Sequence, residues 1–360
     1  MRYPVFLKIA VVGALLPLMP QAAWPEDWEQ VLKAAKQEGK VAVIGFLAQE
    51  VRAALTEPFE KKYGIPVDYL SSQGPEVPPR LSTERRAGKY LWDIFVGGTT
   101  TSLTSLIPMK TLDPLETTFI LPEVSEARHW RGGSHEFVDE GRQILVMILR
   151  QRGTLFVNPQ LLDPKKLRSY KDLLEPQWKG KMVLHDPRIA GPGQATFTFF
   201  YLHPQLGPNF IRALARQEPL ILREFRQEAD AVGQGRYPIL IGGNEATVEQ
   251  LVKQGVSLAF VEPRQLKEGS DISPGFGAVS LINRAPNPNA AKVYVNWLLS
   301  REGQTAFSRA TGYVSTRVDV PTDHVFPWRV PLPGAIKTYT QEAMNVKEPL
   351  LALLKEVLGR

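Results

Sequence analysis

A run of small polar residues follows an apolar segment and has the residue types that bind an anion. The run 97–102 reads Gly-Gly-Thr-Thr-Thr-Ser and comes directly after the strand-like segment 93–96. Glycines let a backbone approach a ligand closely, and the hydroxyls of Thr99, Thr100 and Thr101 would add donors at a helix start. Free N–H groups and partial positive charge at a helix N-terminus suit a carboxylate or a phosphate. Helix capping by Thr99 or Thr100 is an equally good interpretation.

Two further loops have similar character. The loop 47–50 contains Gln49, and the loop 71–74 contains Gln73. In open parallel sheets, ligands bind beyond the carboxyl ends of the strands, where such loops lie. We therefore expect both glutamines to help orient a ligand.

The elements that would position these loops alternate between helix and strand. Apolar periodicity and turn residues predict helices at 25–37, 50–63 and 79–87 and strands at 40–46, 66–71 and 93–96. This alternation predicts βαβ units around a parallel sheet, and hence an α/β fold.

The first residues are typical of an exported protein. Basic residues flank a short start, the segment 9–20 is almost wholly apolar, and small residues precede a polar stretch. We interpret 1–23 as a secretory signal peptide, with cleavage after Ala23 or Ala22, although an uncleaved anchor is an alternative. The mature chain is expected in the periplasm.

Composition excludes several classes of site. The 360 residues contain no cysteine, which excludes thiol nucleophiles, cysteine-bearing zinc sites, iron–sulfur clusters and a lipid-modified cysteine. A free periplasmic protein of a two-membraned bacterium fits this better than a tethered one. The formal net charge is +6, and the densest basic stretch, 165–171, is bracketed by aspartates without interleaved aromatic residues. Nucleic-acid binding is therefore not expected.

Several segments resemble a known family. The segment 170–187, Tyr-Lys-Asp-Leu-Leu-Glu-Pro-Gln-Trp-Lys-Gly-Lys-Met-Val-Leu-His-Asp-Pro, resembles the "sw-DLldpkwkGkivl-dP" stretch of extracellular solute-binding proteins of ABC importers. The segments 84–96, 156–161 and 288–304 agree with the same family in order and spacing. The resemblance extends from about residue 39 to residue 320. The branch of the family that the chain resembles includes ferric-iron-binding proteins.

The resemblance implies a two-lobed periplasmic-binding-protein fold of type II, in which each lobe is a doubly wound sheet flanked by helices. Lobe one would hold 24–145 plus about 277–360, and lobe two about 146–276. We expect the chain to cross the hinge near 144–156 and near 276–284.

The resemblance also implies a function. The protein would be a monomer that captures a small solute by lobe closure and delivers it to an inner-membrane ABC permease, without a cofactor. A solute sensor that docks on a membrane receptor would use the same cleft.

Lobe two and the first hinge crossing contribute the remaining candidate residues. Gly193 and Gln194 open one predicted helix, and Gly243 and Asn244 open another across the cleft from the threonine loop. Arg152 lies near the first crossing and is the candidate for the charged partner of an organic anion, because a guanidinium can hold a carboxylate by two parallel hydrogen bonds. A solvent-facing arginine is the alternative.

The sequence departs from the ferric-binding pattern. Ferric-binding members of the family carry two adjacent tyrosines after the segment that 235–241 resembles, because phenolate oxygens suit ferric iron. This chain has Gly-Gly-Asn-Glu at 242–245 and no adjacent tyrosines anywhere. His185, Asp186 or Glu245 would be the alternative metal ligands, but none has a recognised ligand spacing. No metal is expected, and ferric transport remains the rival function.

An enzyme is the rival from another class. A thiamine-degrading hydrolase and a tetrapyrrole-building deaminase share the two-lobed fold, but both would need a cysteine. The chain has no nucleophile-elbow, zinc-protease, phosphate-loop or dinucleotide motif in the required context. We therefore expect a binding protein rather than an enzyme.

Overall fold

The computed structural model describes residues 27–359. The predicted signal peptide, 1–23, lies outside the described residues. Among those residues, no helix combines the length and the apolar character that a membrane span requires.

The described chain contains both helices and strands. Its strands are β1 (Val41–Gly45), β2 (Val67–Ser71), β3 (Ile94–Gly97), β4 (Leu112–Asp113), β5 (Leu145–Val146), β6 (Ile148–Gln151), β7 (Leu155–Val157), β8 (Met182–His185), β9 (Leu220–Leu222), β10 (Ile239–Ile241), β11 (Ala259–Phe260), β12 (Ile272–Ser273), β13 (Ala278–Ile282) and β14 (Val314–Ser315). Its α-helices are α1 (Trp28–Glu38), α2 (Gln49–Tyr63), α3 (Val77–Arg86), α4 (Thr99–Thr101), α5 (Pro122–Ser125), α6 (Pro192–Leu202), α7 (Gly207–Ala215), α8 (Phe225–Gly233), α9 (Glu245–Lys253), α10 (Pro288–Leu299), α11 (Arg301–Thr311), α12 (Gln341–Asn345) and α13 (Lys347–Leu358).

Lobe one is built on a mixed sheet with the order β2-β1-β3-β13-β4, in which β5 also pairs with β13. Strands β1, β2 and β3 are parallel, whereas β13 is antiparallel to β3. All five residues of β1 are buried, as expected for a central parallel strand covered on both faces. The buried Asp93 carboxylate accepts hydrogen bonds from the Ala42 and Asn287 backbone N–H groups, which ties β1, β3 and the start of α10 together.

Lobe two is built on a second mixed sheet with the order β11-β7-β10-β8-β9. Strands β9, β8 and β10 are parallel, and β7 runs antiparallel to β10. One face of the sheet packs on the aromatic side chains of α6, and the other packs on α8 and α9. Both lobes are thus α/β, and the predicted two-lobed fold class is confirmed.

A small sheet with the order β12-β6-β14 connects the lobes. The outward crossing runs through β6, within the predicted range 144–156. The prediction for the return crossing is wrong, because 276–284 contains β13, which pairs inside the lobe-one sheet. The chain returns earlier, where β12 pairs with β6. An apolar strand has the same sequence pattern at a hinge as in a sheet, so the sequence does not separate the two positions.

The packing of the C-terminal helix differs from the predicted assignment of the tail to lobe one. Helix α13 packs against α6 and α7, and its side chains Leu350, Leu353 and Leu354 belong to the lobe-two core. The predicted assignment of the tail up to 360 to lobe one is therefore wrong at this helix. The sequence shows that α13 has an apolar stripe, but the partner of that stripe is a tertiary property.

Candidate ligand-binding site

The lobe-one side of the site is a cavity at the carboxyl ends of β1 and β3. It measures about 250 Å³ and is lined by Phe46, Ser72, Gly74, Phe95, Val96, Gly97, Gly98, Thr101, Gly275 and Phe276. The rings of Phe46 and Phe276 are stacked with centroids 3.8 Å apart. Phe46 and Phe276 were not among the sequence-predicted site residues, because an aromatic residue beside a strand is more often part of the core.

The threonine loop lies at this cavity, and its three members differ. Thr101 lines the cavity, and its hydroxyl lies 2.5 Å from the position that a Cβ on Gly74 would occupy. Thr100 is exposed, whereas Thr99 is buried. The N-cap of α4 is Gly98, so the alternative that Thr99 or Thr100 caps the helix is wrong. A π-helical turn, Ser102–Leu106, follows directly, and such turns are frequent at functional sites.

The two glutamines lie apart from each other. Gln49 is exposed at the start of α2 and lines a separate groove of about 600 Å³ between α2 and β2. Gln73 is exposed beside the cavity, and its backbone N–H donates to the Glu76 carboxylate at 2.9 Å. The structure therefore brings Gln73 near Thr101 but does not bring Gln49 into the same cavity.

The two predicted loops of lobe two pack on each other. The position that a Cβ on Gly242 would occupy lies 2.9 Å from the Gly193 Cα, and Gly242 has φ 68°. A side chain at position 242 would therefore separate the loops and strain the backbone. Gly243 and Gly193 thus lie in one loop pair at the carboxyl ends of β10 and β8.

Asn244 and Gln194 are both engaged within their helices. The side-chain oxygen of Asn244 caps α9 by accepting the Thr247 backbone N–H at 3.0 Å. The backbone oxygen of Gln194 accepts the Thr198 hydroxyl, and the Gln194 side chain is half-buried. Both residues stand at helix starts as predicted, but contact with a ligand stays a prediction.

Arg152 lies at the floor of the hinge and is not a surface residue. It is 4% exposed, and its guanidinium pairs with the buried Asp271 carboxylate at 3.1 Å. The guanidinium also donates to the Pro192 backbone oxygen at 3.1 Å, which connects the hinge to the first turn of α6. The alternative of a solvent-facing arginine is therefore wrong, and the predicted role of Arg152 as the charged partner stays a prediction.

Arg150 was not predicted from the sequence, yet it is the more accessible hinge cation. It pairs with Glu245, the first residue of α9, and its side chain is 17% exposed. Its guanidinium also lies 5.0 Å from the ring centroid of Tyr313. The Tyr313 ring lies 3.4 Å from the position that a Cβ on the cavity residue Gly275 would occupy. Arg150 lies in β6 and Arg152 directly follows its end, so the sequence argument for an arginine near the first hinge crossing applied equally to Arg150.

The electrostatics of Arg150 follow from these neighbours. Burial disfavours the charged guanidinium, but the Glu245 carboxylate outweighs burial and raises the pKa of Arg150 above its ordinary value. Within residues 27–359, the Arg150 Nε has no hydrogen-bond partner although it is buried. A buried donor without a partner costs about 1–3 kcal/mol, so this atom favours an incoming acceptor.

Each candidate metal ligand is paired with another side chain. Glu245 pairs with Arg150, His185 pairs with Glu228, and Asp186 pairs with Arg188. Across residues 27–359, no group of three or more histidine, aspartate or glutamate side chains is arranged to hold a metal ion.

Known proteins are similar to this chain in sequence or in fold. An uncharacterized protein of Haemophilus influenzae is 22% identical over 274 residues, which cover 75% of each chain. The Mannheimia haemolytica ferric iron-binding protein A in an open conformation aligns with a TM-score of 0.69 at 15% identity, over 89% of this chain and 99% of that one. The periplasmic binding protein AfuA from Actinobacillus pleuropneumoniae, with fructose-6-phosphate bound, aligns with a TM-score of 0.57 at 18% identity, over 88% and 97%.

The family model for bacterial extracellular solute-binding proteins matches residues 54–330, which is most of the chain. The resemblance seen in the sequence is thereby confirmed, and so is the expectation of a transport-associated binding protein rather than an enzyme. This chain belongs to the bacterial extracellular solute-binding protein family.

Proposed function

We propose that the protein captures a small organic anion, bearing a carboxylate or a phosphate, in the cleft between its lobes and delivers it to an inner-membrane permease. The family makes it a solute-binding protein, and the ABC importer that it would serve is part of the proposal. The identity of the solute and release of the protein into the periplasm are the proposed parts.

The observation that carries the proposal is the state of Arg150. Its guanidinium is partly exposed at the hinge, beside the first turn of α9, and its buried Nε has no partner within the described residues. A carboxylate or phosphate oxygen would satisfy that donor and would share the guanidinium with Glu245. Guanidinium groups suit such planar anions because their donors form a rigid fork.

The candidate loops of the two lobes would supply neutral donors. The cavity of lobe one contributes Thr101 and the backbone at Gly98. The loop pair of lobe two contributes Gly193 and the start of α9. Helix starts carry N–H groups without intrahelical partners, which favour an anion.

The rival is ferric iron, as in the Mannheimia protein. Phenolate ligands are the expected ones for ferric iron, and 242–245 reads Gly-Gly-Asn-Glu without a tyrosine pair. The nearby phenol, Tyr313, stacks with the Arg150 cation, and a neighbouring cation does not favour assembly of a second positive charge at that site.

The test begins with thermal-shift screening of the purified mature protein against organic acids, hexose phosphates, neutral sugars, and ferric iron with and without citrate. We expect stabilisation by anions and no visible phenolate-to-iron absorption. Calorimetry on Arg150→Gln should then show affinity for the stabilising anion reduced by roughly tenfold to a hundredfold, the effect of losing a charge-assisted hydrogen bond.

The matched control is Arg309→Gln, which removes a lobe-one arginine paired with the exposed Asp323. It should bind like wild type. Stabilisation by neutral sugars alone, or tight coloured ferric binding, would contradict the anion proposal. Unchanged affinity of a folded Arg150→Gln variant would show that another group holds the charge.

A further inference from the structure

Two phenylalanine rings meet at the wall of the lobe-one cavity. Phe46 directly follows β1 and Phe276 precedes β13, and their rings are nearly parallel, with an interplanar angle of 4°. Both residues are partly exposed and both line the cavity, so the pair presents aromatic surface to it. Aromatic surface favours a further ring by geometry-specific contacts as well as by the area that it removes from water.

The core of lobe one holds this ring pair in place. The Phe46 backbone oxygen accepts the Tyr69 hydroxyl at 3.1 Å, which fixes the chain at the end of β1. The Phe276 ring lies beside Phe307 and Tyr313, with ring centroids 6.4 Å and 6.3 Å away. A surface that is already ordered loses little conformational freedom when a ligand binds to it.

The rest of the cavity wall is also mostly apolar. Among the ten described residues that line it, none carries a charge. Phe95 and Val96 add apolar side chains, and four glycines add none. The hydroxyl of Ser72 already donates to the Glu76 carboxylate at 3.0 Å, so Thr101 supplies the remaining hydroxyl group of the wall. The cavity therefore suits an apolar group better than a polyhydroxylated one.

The cavity volume matches one six-membered ring. An apolar cavity of about 150 Å³ holds a benzene molecule. The lobe-one cavity, at about 250 Å³, has room for such a ring and for the atoms that join it to another group. A hexose is of similar size, but its hydroxyls would be buried against aromatic surface without hydrogen-bond partners, which disfavours binding.

Tyr313 connects this cavity to the hinge cation. Its ring centroid lies 5.0 Å from the Arg150 guanidinium and 6.3 Å from the ring centroid of Phe276. The aromatic wall and the guanidinium thus share one neighbouring side chain. A single small solute that carries an anionic group close to a ring can therefore contact both.

We propose that the solute is an aromatic anion, whose planar ring packs on Phe46 and Phe276 while its carboxylate or phosphate pairs with Arg150. This inference rests on the proposed function and names its substrate class. The two phenylalanines are then specificity-determining residues: ring burial selects against small aliphatic anions, and aromatic contact selects against saturated rings.

The experiment compares phosphate esters that share an anionic group and differ in the group attached to it. Calorimetry on the full mature protein should show phenyl phosphate binding roughly tenfold to a hundredfold tighter than methyl phosphate, the effect of burying a ring. Phenyl phosphate should also bind about twofold to tenfold tighter than cyclohexyl phosphate, the effect of aromatic contact. Glucose 6-phosphate should bind no tighter than methyl phosphate. Benzoate, cyclohexanecarboxylate and acetate form the matching carboxylate series.

Variants assign the selectivity to the ring pair. Phe276→Leu and Phe46→Leu keep an apolar side chain and should each weaken phenyl phosphate about twofold to tenfold, with methyl phosphate changed less than twofold. Arg150→Gln should weaken both esters by a similar factor, because it acts on the anionic group. The matched control is Phe326→Leu, at a residue that is 56% exposed, and it should bind like wild type. Circular dichroism checks that each variant is folded.

A second measurement uses wild-type protein alone. Intermolecular nuclear Overhauser effects should connect the phenyl protons of the bound ligand with the rings of Phe46 and Phe276. Phenyl compounds that bind no tighter than their methyl or cyclohexyl counterparts in both series, or phenyl protons that contact other residues instead, would overturn this inference and leave the anion proposal standing. Failure of every phosphate ester and every carboxylate to bind would instead overturn the anion proposal, and this inference with it.

Discussion

Substitution of Arg152 by methionine should destabilise the fold rather than only weaken ligand binding. Arg152 is 5% exposed at its side chain, and Asp271 is fully buried at 3.1 Å from it. Removing one partner of a buried ion pair costs about 3–5 kcal/mol, because a charge is left in the interior without its partner. The Thr338 hydroxyl, 2.7 Å from the Asp271 carboxylate, would remain as a donor. We therefore expect a loss in unfolding free energy at the lower end, about 3 kcal/mol.

The assay is equilibrium unfolding in urea, followed by tryptophan fluorescence and by circular dichroism. The two transitions must have the same midpoint in wild type, because a two-lobed protein can unfold in steps. The denaturant slope should be unchanged in the variant, so that the shift in midpoint reports stability. Arg309→Met is the control, since the exposed pair of Arg309 with Asp323 should contribute about 0–1 kcal/mol.

A double variant separates the ion pair from its surroundings. Arg152→Met with Asp271→Leu removes both charges, and most of the lost stability should return because apolar replacement of a buried pair is often neutral. A loss below about 1 kcal/mol in Arg152→Met, equal to the control, would refute the structural role. Arg152 would then again be the leading candidate for the charged partner of the solute.

Three further predictions concern the tail helix, acid stability and export. Leu354→Ala, at a fully buried position, should lower the free energy of unfolding by about 2–5 kcal/mol. Hydrogen exchange should accelerate in α6 and α7 but not in β1. Faster exchange in lobe one alone would contradict the packing of α13. Burial opposes ionisation of Asp186, but hydrogen bonds from Arg188 and Arg223 outweigh it and lower the pKa of this carboxyl to about 2. A lowered pKa stabilises the fold when the pH is above the ordinary aspartate pKa of about 4, so this stabilisation should disappear as the pH falls toward 2. In urea titrations, Asp186→Asn should lose less unfolding free energy than wild type over that pH interval. An equal loss would count against the contribution of Asp186. Sequencing of protein released by osmotic shock should begin at Trp24 or Ala23, whereas intact chain in the membrane fraction would favour the anchor interpretation.

Much of the fold could be predicted from local sequence patterns. The strand predicted at 40–46 is β1, and the helix predicted at 50–63 is α2 to within one residue. These patterns are reliable because buried parallel strands are apolar throughout and helices carry a periodic apolar stripe. The predicted position of the return crossing and the predicted lobe of α13 were wrong. Both depend on which distant surface an apolar segment contacts.

The candidate site was predictable to the level of loops. Loops that follow parallel strands meet at one sheet edge, which placed Thr101 at the lobe-one cavity and Gly193 beside Gly242. The same rule could not separate Gln49 from Gln73, because two loops at one edge can face different grooves. It also could not choose between Arg150 and Arg152, which lie two residues apart near the hinge and differ in the carboxylates that pair with them.

The sequence by itself determined the α/β class, the family, the absence of thiol chemistry and the absence of a tyrosine pair for iron. These properties follow from residue identity and short-range periodicity. Both features are present in the local sequence of each strand and helix. The tertiary structure alone decided which charges are paired. Arg152 meets Asp271, Arg150 meets Glu245, and His185 meets Glu228 across separations of 43 to 119 residues. Such pairs depend on which elements the fold brings together. The local sequence around each residue does not show which distant residue becomes its neighbour.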